Sequence, residues 1–222
     1  MKQIALDGPA GAGKSTIAKK VAEQLKFVYI DTGAMYRTLA LACIKNNIDI
    51  SDEDKVSETA ENADLDIRYI DGVQHMMLDD EDVSTQIRTE QVSKAASDTS
   101  KYKRVRDRLV KLQQELAEKY NVVMDGRDIG TVVLPKADLK IFMTASVEVR
   151  ALRRFNEYTE KGIECDLPSI KKDIEQRDYN DSHRANSPLQ MAEDAVELDT
   201  TDMGIEQVAA EVIRLFEKSQ RA

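Results

Sequence analysis

Apolar positions along this chain follow two alternating rhythms. Unbroken apolar runs at Ile4–Leu6, Val122–Met124 and Leu139–Met143 read as strands buried on both faces, with shorter candidates at Phe27–Ile30 and Ala195–Leu198. Helical spacing separates them. Ile17, Val21 and Leu25 recur every fourth residue, and Ile205, Val208, Val212, Leu215 and Phe216 share one face of a helix from about Gly204 to Lys218. Strands alternating with amphipathic helices build crossover units, so the predicted fold is α/β, a doubly wound parallel sheet.

The segment from Leu65 to about Ser84 breaks that alternation. Asp64–Ile70 and Val73–Leu78, separated by Asp71-Gly72, read as a β-hairpin with an Asp-Gly turn, a small antiparallel insertion in the α/β fold. A charged helix follows, roughly Lys101 to Lys119. Its arginine-rich start, Lys101 to Arg108, is either a solvated face or a ligand-facing surface, and composition favours the solvated face.

Composition narrows the class. With 222 residues, 41% hydrophobic and 33% charged, the chain suits one α/β domain with small insertions. A net charge of −9 argues against general nucleic-acid binding, which needs a basic footprint. It leaves room for an anionic small molecule met by a local arginine cluster. Cys43 and Cys165 have no pairing pattern, and His75 and His183 no metal-ligand spacing. No signal peptide and no bilayer-spanning apolar run is apparent, so a cytoplasmic, membrane-free protein is expected, monomeric in the absence of a surplus apolar stripe.

The strongest chemical signal is Gly8-Pro9-Ala10-Gly11-Ala12-Gly13-Lys14-Ser15-Thr16, placed between the first strand and the first helix. It satisfies the phosphate-loop pattern G-x-x-x-x-G-K-[ST]. Glycines let successive N–H groups turn toward phosphate oxygens, and the helix N-terminus adds partial positive charge. Lys14 can reach the β- and γ-phosphates, and the Ser15 hydroxyl can hold Mg²⁺. A bound nucleoside triphosphate is therefore expected.

Four further stretches bear on the reaction. Asp31-Thr32-Gly33-Ala34-Met35-Tyr36-Arg37 opens a helix at a strand's carboxyl end, with Asp31 or Thr32 as its cap. In Val122-Val123-Met124-Asp125-Gly126-Arg127-Asp128, an apolar strand ends in the aspartate position that holds Mg²⁺ or its waters. Arg150 and Arg153 or Arg154 share a helix face. The polar stretch Arg177 to Pro188, where a helix breaks, reads as a mobile lid. Together they describe phosphoryl transfer, which needs charge neutralised on the moving group and water excluded.

Taken with Asp82–Ser97, Val105-Arg106 and Asp125–Pro135, these stretches cover nearly the whole chain, and it resembles the bacterial cytidylate kinases. The resemblance implies Mg²⁺-dependent transfer of the ATP γ-phosphate to CMP or dCMP, in pyrimidine nucleotide metabolism. It implies that Gly8 to Thr16 hold ATP, and Ser15 and Asp125 the metal. Thr32, Tyr36, Arg37 and Arg127 would take the acceptor phosphate, Ser97, Arg106 and Asp128 the cytosine, and Arg177 and Asp181 the sugar. Lys14, Arg127, Arg154 and Arg184 would be the catalytic cations, Arg184 near the acceptor or the transferred group. Arg150 is left without a role. Thr32 stands where serine is expected, keeping the hydroxyl. The implied organisation is one nucleoside monophosphate kinase domain over 1–222, with its core at about 1–63 and 100–222, an insertion at about 64–99 and a lid at about 153–187.

A kinase for another small acceptor is the rival enzyme, and a nucleotide-dependent switch or ATPase the rival of another class. No Asn-Lys-x-Asp guanine motif occurs.

Overall fold

A computed structural model describes residues 1–70 and 72–221; Asp71 of the expected Asp-Gly turn lies outside them. In chain order the strands are β1 (Gln3–Asp7), β2 (Val28–Asp31), β3 (Leu65–Ile70), β4 (Val73–Leu78), β5 (Glu81–Asp82), β6 (Val122–Gly126), β7 (Leu139–Thr144) and β8 (Val196–Asp199). The α-helices are α1 (Lys14–Leu25), α2 (Thr32–Lys45), α3 (Glu53–Asn62), α4 (Glu90–Thr99), α5 (Lys103–Lys119), α6 (Val147–Glu160), α7 (Leu167–His183) and α8 (Ile205–Ser219).

The apolar runs become neighbouring strands. The five-stranded sheet has the order β2-β6-β1-β7-β8, and β1 pairs in parallel with both β6 and β7. Register puts Leu6 opposite Asp125 and Asp7 opposite Gly126, so an aspartate lies at or next to the carboxyl end of each of these neighbouring strands. Such sheets bind ligands outside the carboxyl ends of their strands.

The chain divides into two compact units, Met1–Tyr29 with Tyr120–Ala222, and Ile30–Lys119. In the first, Ile4, Leu6, Val123, Ile141 and Met143 meet Ile17, Ala18 and Val21 of α1 and Val208, Val212 and Phe216 of α8. Each fully buried Ile, Leu, Val, Met or Phe side chain among them contributes ~1.5–3 kcal/mol. The Phe27 ring meets that of Phe216 edge-on, centroids 5.6 Å apart. A smaller apolar cluster of Ala151, Ile170 and Ile174 holds α6 against α7.

The second unit carries the hairpin, Leu65 opposite Leu78 through Ile70 opposite Val73, and a short third strand, β5, that the apolar pattern does not announce. Of the two cap candidates for α2, Asp31 is the one that caps: its side chain accepts the Ala34 N–H at 2.8 Å. The polar stretch expected as a lid is more helical than its composition suggests. α7 runs to His183, capped at its start by Asp166, and the break falls at Arg184. No helix among the described residues is long and apolar enough to cross a membrane.

Candidate active site

β1 delivers the chain to Gly8, whose φ is +145° and where a Cβ would stand 2.0 Å from the Met143 carbonyl oxygen. Only glycine lets the loop pass β7 that closely. At the other end, Gly13 has φ +87°, and its carbonyl accepts the N–H of Ile17 at 3.1 Å to begin α1. The N–H groups of that first turn have no intrahelical acceptor, and no acidic residue sits there to neutralise the dipole. Lys14 is 5% exposed and donates to the Pro9 carbonyl at 2.7 Å. Burial, then Arg127, holds it well below the ordinary lysine range, against the opposing pull of Asp125, Asp7 and Asp181.

Asp125, at the end of β6, is fixed through both oxygens. Ser15 Oγ donates to Oδ2 at 2.7 Å and the Tyr29 hydroxyl to Oδ1 at 2.8 Å. A hydroxyl and a carboxylate beside a phosphate loop form a hard oxygen donor set, which fits a divalent cation that keeps waters and takes its remaining ligands from phosphate. No group of three or more His, Cys, Asp or Glu suited to a metal occurs among the described residues, so phosphate and water would have to complete the shell.

Asp7 and Tyr29 escape sequence reasoning. Asp7 accepts the N–H groups of Ile129 at 2.8 Å and Gly130 at 2.7 Å, pinning the π-helical turn Ile129–Val133 that follows Arg127 and Asp128. Burial pushes its carboxyl up to about 6; Asp128 adds to the rise, while the two backbone bonds and Lys14 oppose it. The available signal was a carboxylate closing an apolar strand, the same signal that marks Asp125.

Arg127 Nε donates to Asp181 Oδ2 at 2.8 Å. Burial works against the Arg127 charge, but Asp181, Asp125 and Asp178 outweigh it and hold the guanidinium pKa above its usual value. For Asp181, burial is likewise outweighed by Arg127, Arg177 and Arg184, which keep its carboxyl below the usual range. Arg184 lies 3.9 Å from Asp128 Oδ1, and its Nε donates to the Ser187 carbonyl. The first unit therefore brings buried Lys14, Asp128 and Asp181 and half-buried Arg127, Arg177 and Arg184 into one polar network.

The α6 arginines part company. Arg150 is buried and donates to the Ala10 carbonyl inside the phosphate loop at 2.9 Å. Arg153 donates to the Thr200 carbonyl at 2.7 Å. Arg154 is half-buried and makes no hydrogen bond or ion pair among the described residues.

In the second unit, Arg37 pairs with Asp31 at 3.0 Å, Thr32 is buried, and the Arg106 guanidinium lies 5.5 Å from the centroid of the Tyr36 ring. Arg106 corrects the solvated-face expectation. Lys101, Lys103 and Arg104 are exposed as composition suggests, but Arg106 is only 4% exposed and donates to the Ser100 carbonyl at 3.2 Å. Helical spacing puts it on the buried face with Tyr102, Leu109 and Gln113. Ser97 is half-buried on α4.

A parallel sheet with a phosphate loop, a strand-end aspartate bonded to the loop serine, and buried arginines around them define a phosphate-loop phosphotransferase. The family model described as cytidylate kinase matches residues 4–218, and the chain belongs to that family. It is 53% identical over 97% of its length to a cytidylate kinase of Caldicellulosiruptor bescii, covering 95% of that protein. It is 48% identical over 100% of its length to one of Lactobacillus johnsonii, covering 96% of that protein. Among solved structures, a sugar kinase from Janibacter sp. HTCC2649 superposes with a TM-score of 0.50 at 12% identity, over 98% of this chain and 95% of that one, a likeness of fold.

Proposed function

We propose that this chain transfers the γ-phosphate of ATP to CMP or dCMP, giving ADP and CDP or dCDP. The observation that carries the reading is the Ser15–Asp125 hydrogen bond of 2.7 Å beside a phosphate loop, in a chain of the cytidylate kinase family. Gly8 to Thr16 hold the triphosphate. Burial disfavours the charged form of Lys14, and the phosphate it meets favours it. Ser15 and Asp125 hold the metal, for which Mg²⁺ suits the hard oxygen set; it neutralises charge on the phosphates.

Thr32, Tyr36, Arg37 and Arg127 take the acceptor phosphate, because guanidinium forks match phosphate oxygens. Arg177 and Asp181 bind the sugar. Arg154 and Arg184 stabilise the group in flight. Residues of about 64–99 serve as the acceptor-binding insertion and those of about 153–187 as the lid. The protein acts as a cytoplasmic monomer on nucleotides alone, without nucleic acid or membrane.

Base choice follows from hydrogen-bond chemistry. Cytosine presents an N4 donor, which the Asp128 carboxylate and Ser97 hydroxyl accept, while Arg106 donates to the ring acceptors. Uracil places an oxygen where the donor was, and a buried acceptor left unpaired costs ~1–3 kcal/mol. The test is acceptor-dependent ADP release from MgATP with CMP, dCMP, UMP, AMP and no acceptor, for wild type and Asp128→Ala. CMP and dCMP should far exceed UMP, and the substitution should collapse that ratio. Equal rates with UMP in wild type would remove Asp128 as base reader, and ADP release indifferent to every acceptor would leave an ATPase.

A further inference from the structure

Arg150 joins three pieces of the first unit that its place on an arginine-rich helix face does not foretell. Its Nε donates to the Ala145 carbonyl at 2.9 Å, its NH1 to the Ala10 carbonyl at 2.9 Å, and NH1 lies 2.6 Å from Asp178 Oδ2 on α7. The phosphate loop also rests on its stem: a Cβ added to Gly11, where φ is +76°, would stand 3.2 Å from the Arg150 Cβ. At 4% exposure, a guanidinium is tolerated only with its donors engaged. Asp178 Oδ1 is buried without a hydrogen bond among the described residues, and its other oxygen forms an ion pair with Arg150.

The grip on Ala10 has a consequence one atom away. A trans peptide is planar, with the carbonyl of one residue and the N–H of the next pointing in opposite directions. Holding the Ala10 oxygen toward α6 therefore fixes the direction of the Gly11 N–H, one of the groups that such a loop offers to phosphate. The Ala145 and Ala10 carbonyls set the plane of the guanidinium, and Asp178 supplies the countercharge against its NH1. That residue sits one helical step from Asp181, the partner of Arg127, so α7 holds both arginines from a single face.

We propose that Arg150 is a positioning residue that shapes the phosphate loop through Ala10 and makes that shape depend on α7 through Asp178. Nucleotide affinity at the loop and the seating of α7 are then reciprocally coupled. The inference rests on nucleotide binding at Gly8–Thr16 and not on the identity of the acceptor.

The experiment is a double-mutant cycle of Arg150→Lys and Asp178→Asn, read by calorimetric binding of the Mg²⁺ complex of a non-hydrolysable ATP analogue without acceptor. Asparagine keeps the volume of Asp178 and removes its charge; lysine keeps the charge of Arg150 and removes its fork. Each single change should weaken binding about tenfold, with the double variant no worse than Arg150→Lys alone. The KM for ATP should rise in Asp178→Asn by a larger factor than kcat at saturating ATP falls, a split that a general loss of stability does not produce. Wild-type affinity in Asp178→Asn, or penalties that add in full, would overturn the coupling. CMP phosphorylation by wild type is scored separately, so binding of the analogue without CMP turnover would refute the proposed acceptor and leave the coupling standing.

Discussion

Replacing Asp7 by asparagine should make the protein more stable at neutral pH and less active. Burial raises the Asp7 carboxyl from 3.8 to about 6. A tenfold change in a protonation equilibrium corresponds to ~1.4 kcal/mol, so carrying the charge at pH 7 costs the folded state roughly 3 kcal/mol relative to the protonated form. Between 3.8 and about 6 the native protein binds more protons at this site than the unfolded chain, so stability falls as pH rises through that window and is flat above it. Asparagine mimics the protonated acid and lacks the slope. Urea unfolding of both proteins should show the advantage of Asp7→Asn growing by about 2 kcal/mol from about pH 4.5 to about pH 7. Activity should move the other way. Asparagine puts an NH2 donor in place of one accepting oxygen, whereas the Asp7 carboxylate accepts the N–H of Ile129 through Oδ1 and that of Gly130 through Oδ2, directly after Arg127 and Asp128. A loss of about tenfold in kcat is expected, and wild type should lose activity similarly as pH falls through about 6. A pH-independent stability difference would refute the buried-charge account, and an Asp7→Asn enzyme with wild-type kcat would refute the loop-holding role.

Lys14→Ala should abolish turnover with the fold intact by circular dichroism, because this lysine bonds a loop carbonyl and not the apolar core; a melted variant would sink that separation of roles. Arg154→Ala should lower kcat more than it raises KM, since its guanidinium is uncommitted among the described residues and so available to charge that develops only in the transition state. A pure KM effect would assign it to ground-state binding instead.

Whatever depends on neighbours in the chain was legible in the sequence. The phosphate loop is a local matter of glycine dihedrals followed by a helix start, and Gly8 and Gly13 adopt the positive φ that their positions call for. Strand runs and helical spacing are local periodicities too, so the α/β class and most elements follow from them, as does the aspartate that ends β6. Tertiary structure alone decided what distant groups do to one another. It set the strand order that puts β6 between β2 and β1, and with it the reach of Asp7 to Ile129 and of Tyr29 to Asp125. It turned Arg106 inward on a helix whose composition favours solvent. It also split three arginines of similar spacing among a loop carbonyl, the Thr200 carbonyl and no partner among the described residues. Periodicity states which face of a helix a side chain shares. The charge, burial and partner it meets there belong to elements far away in sequence, and those determine whether an arginine braces, binds or awaits phosphate.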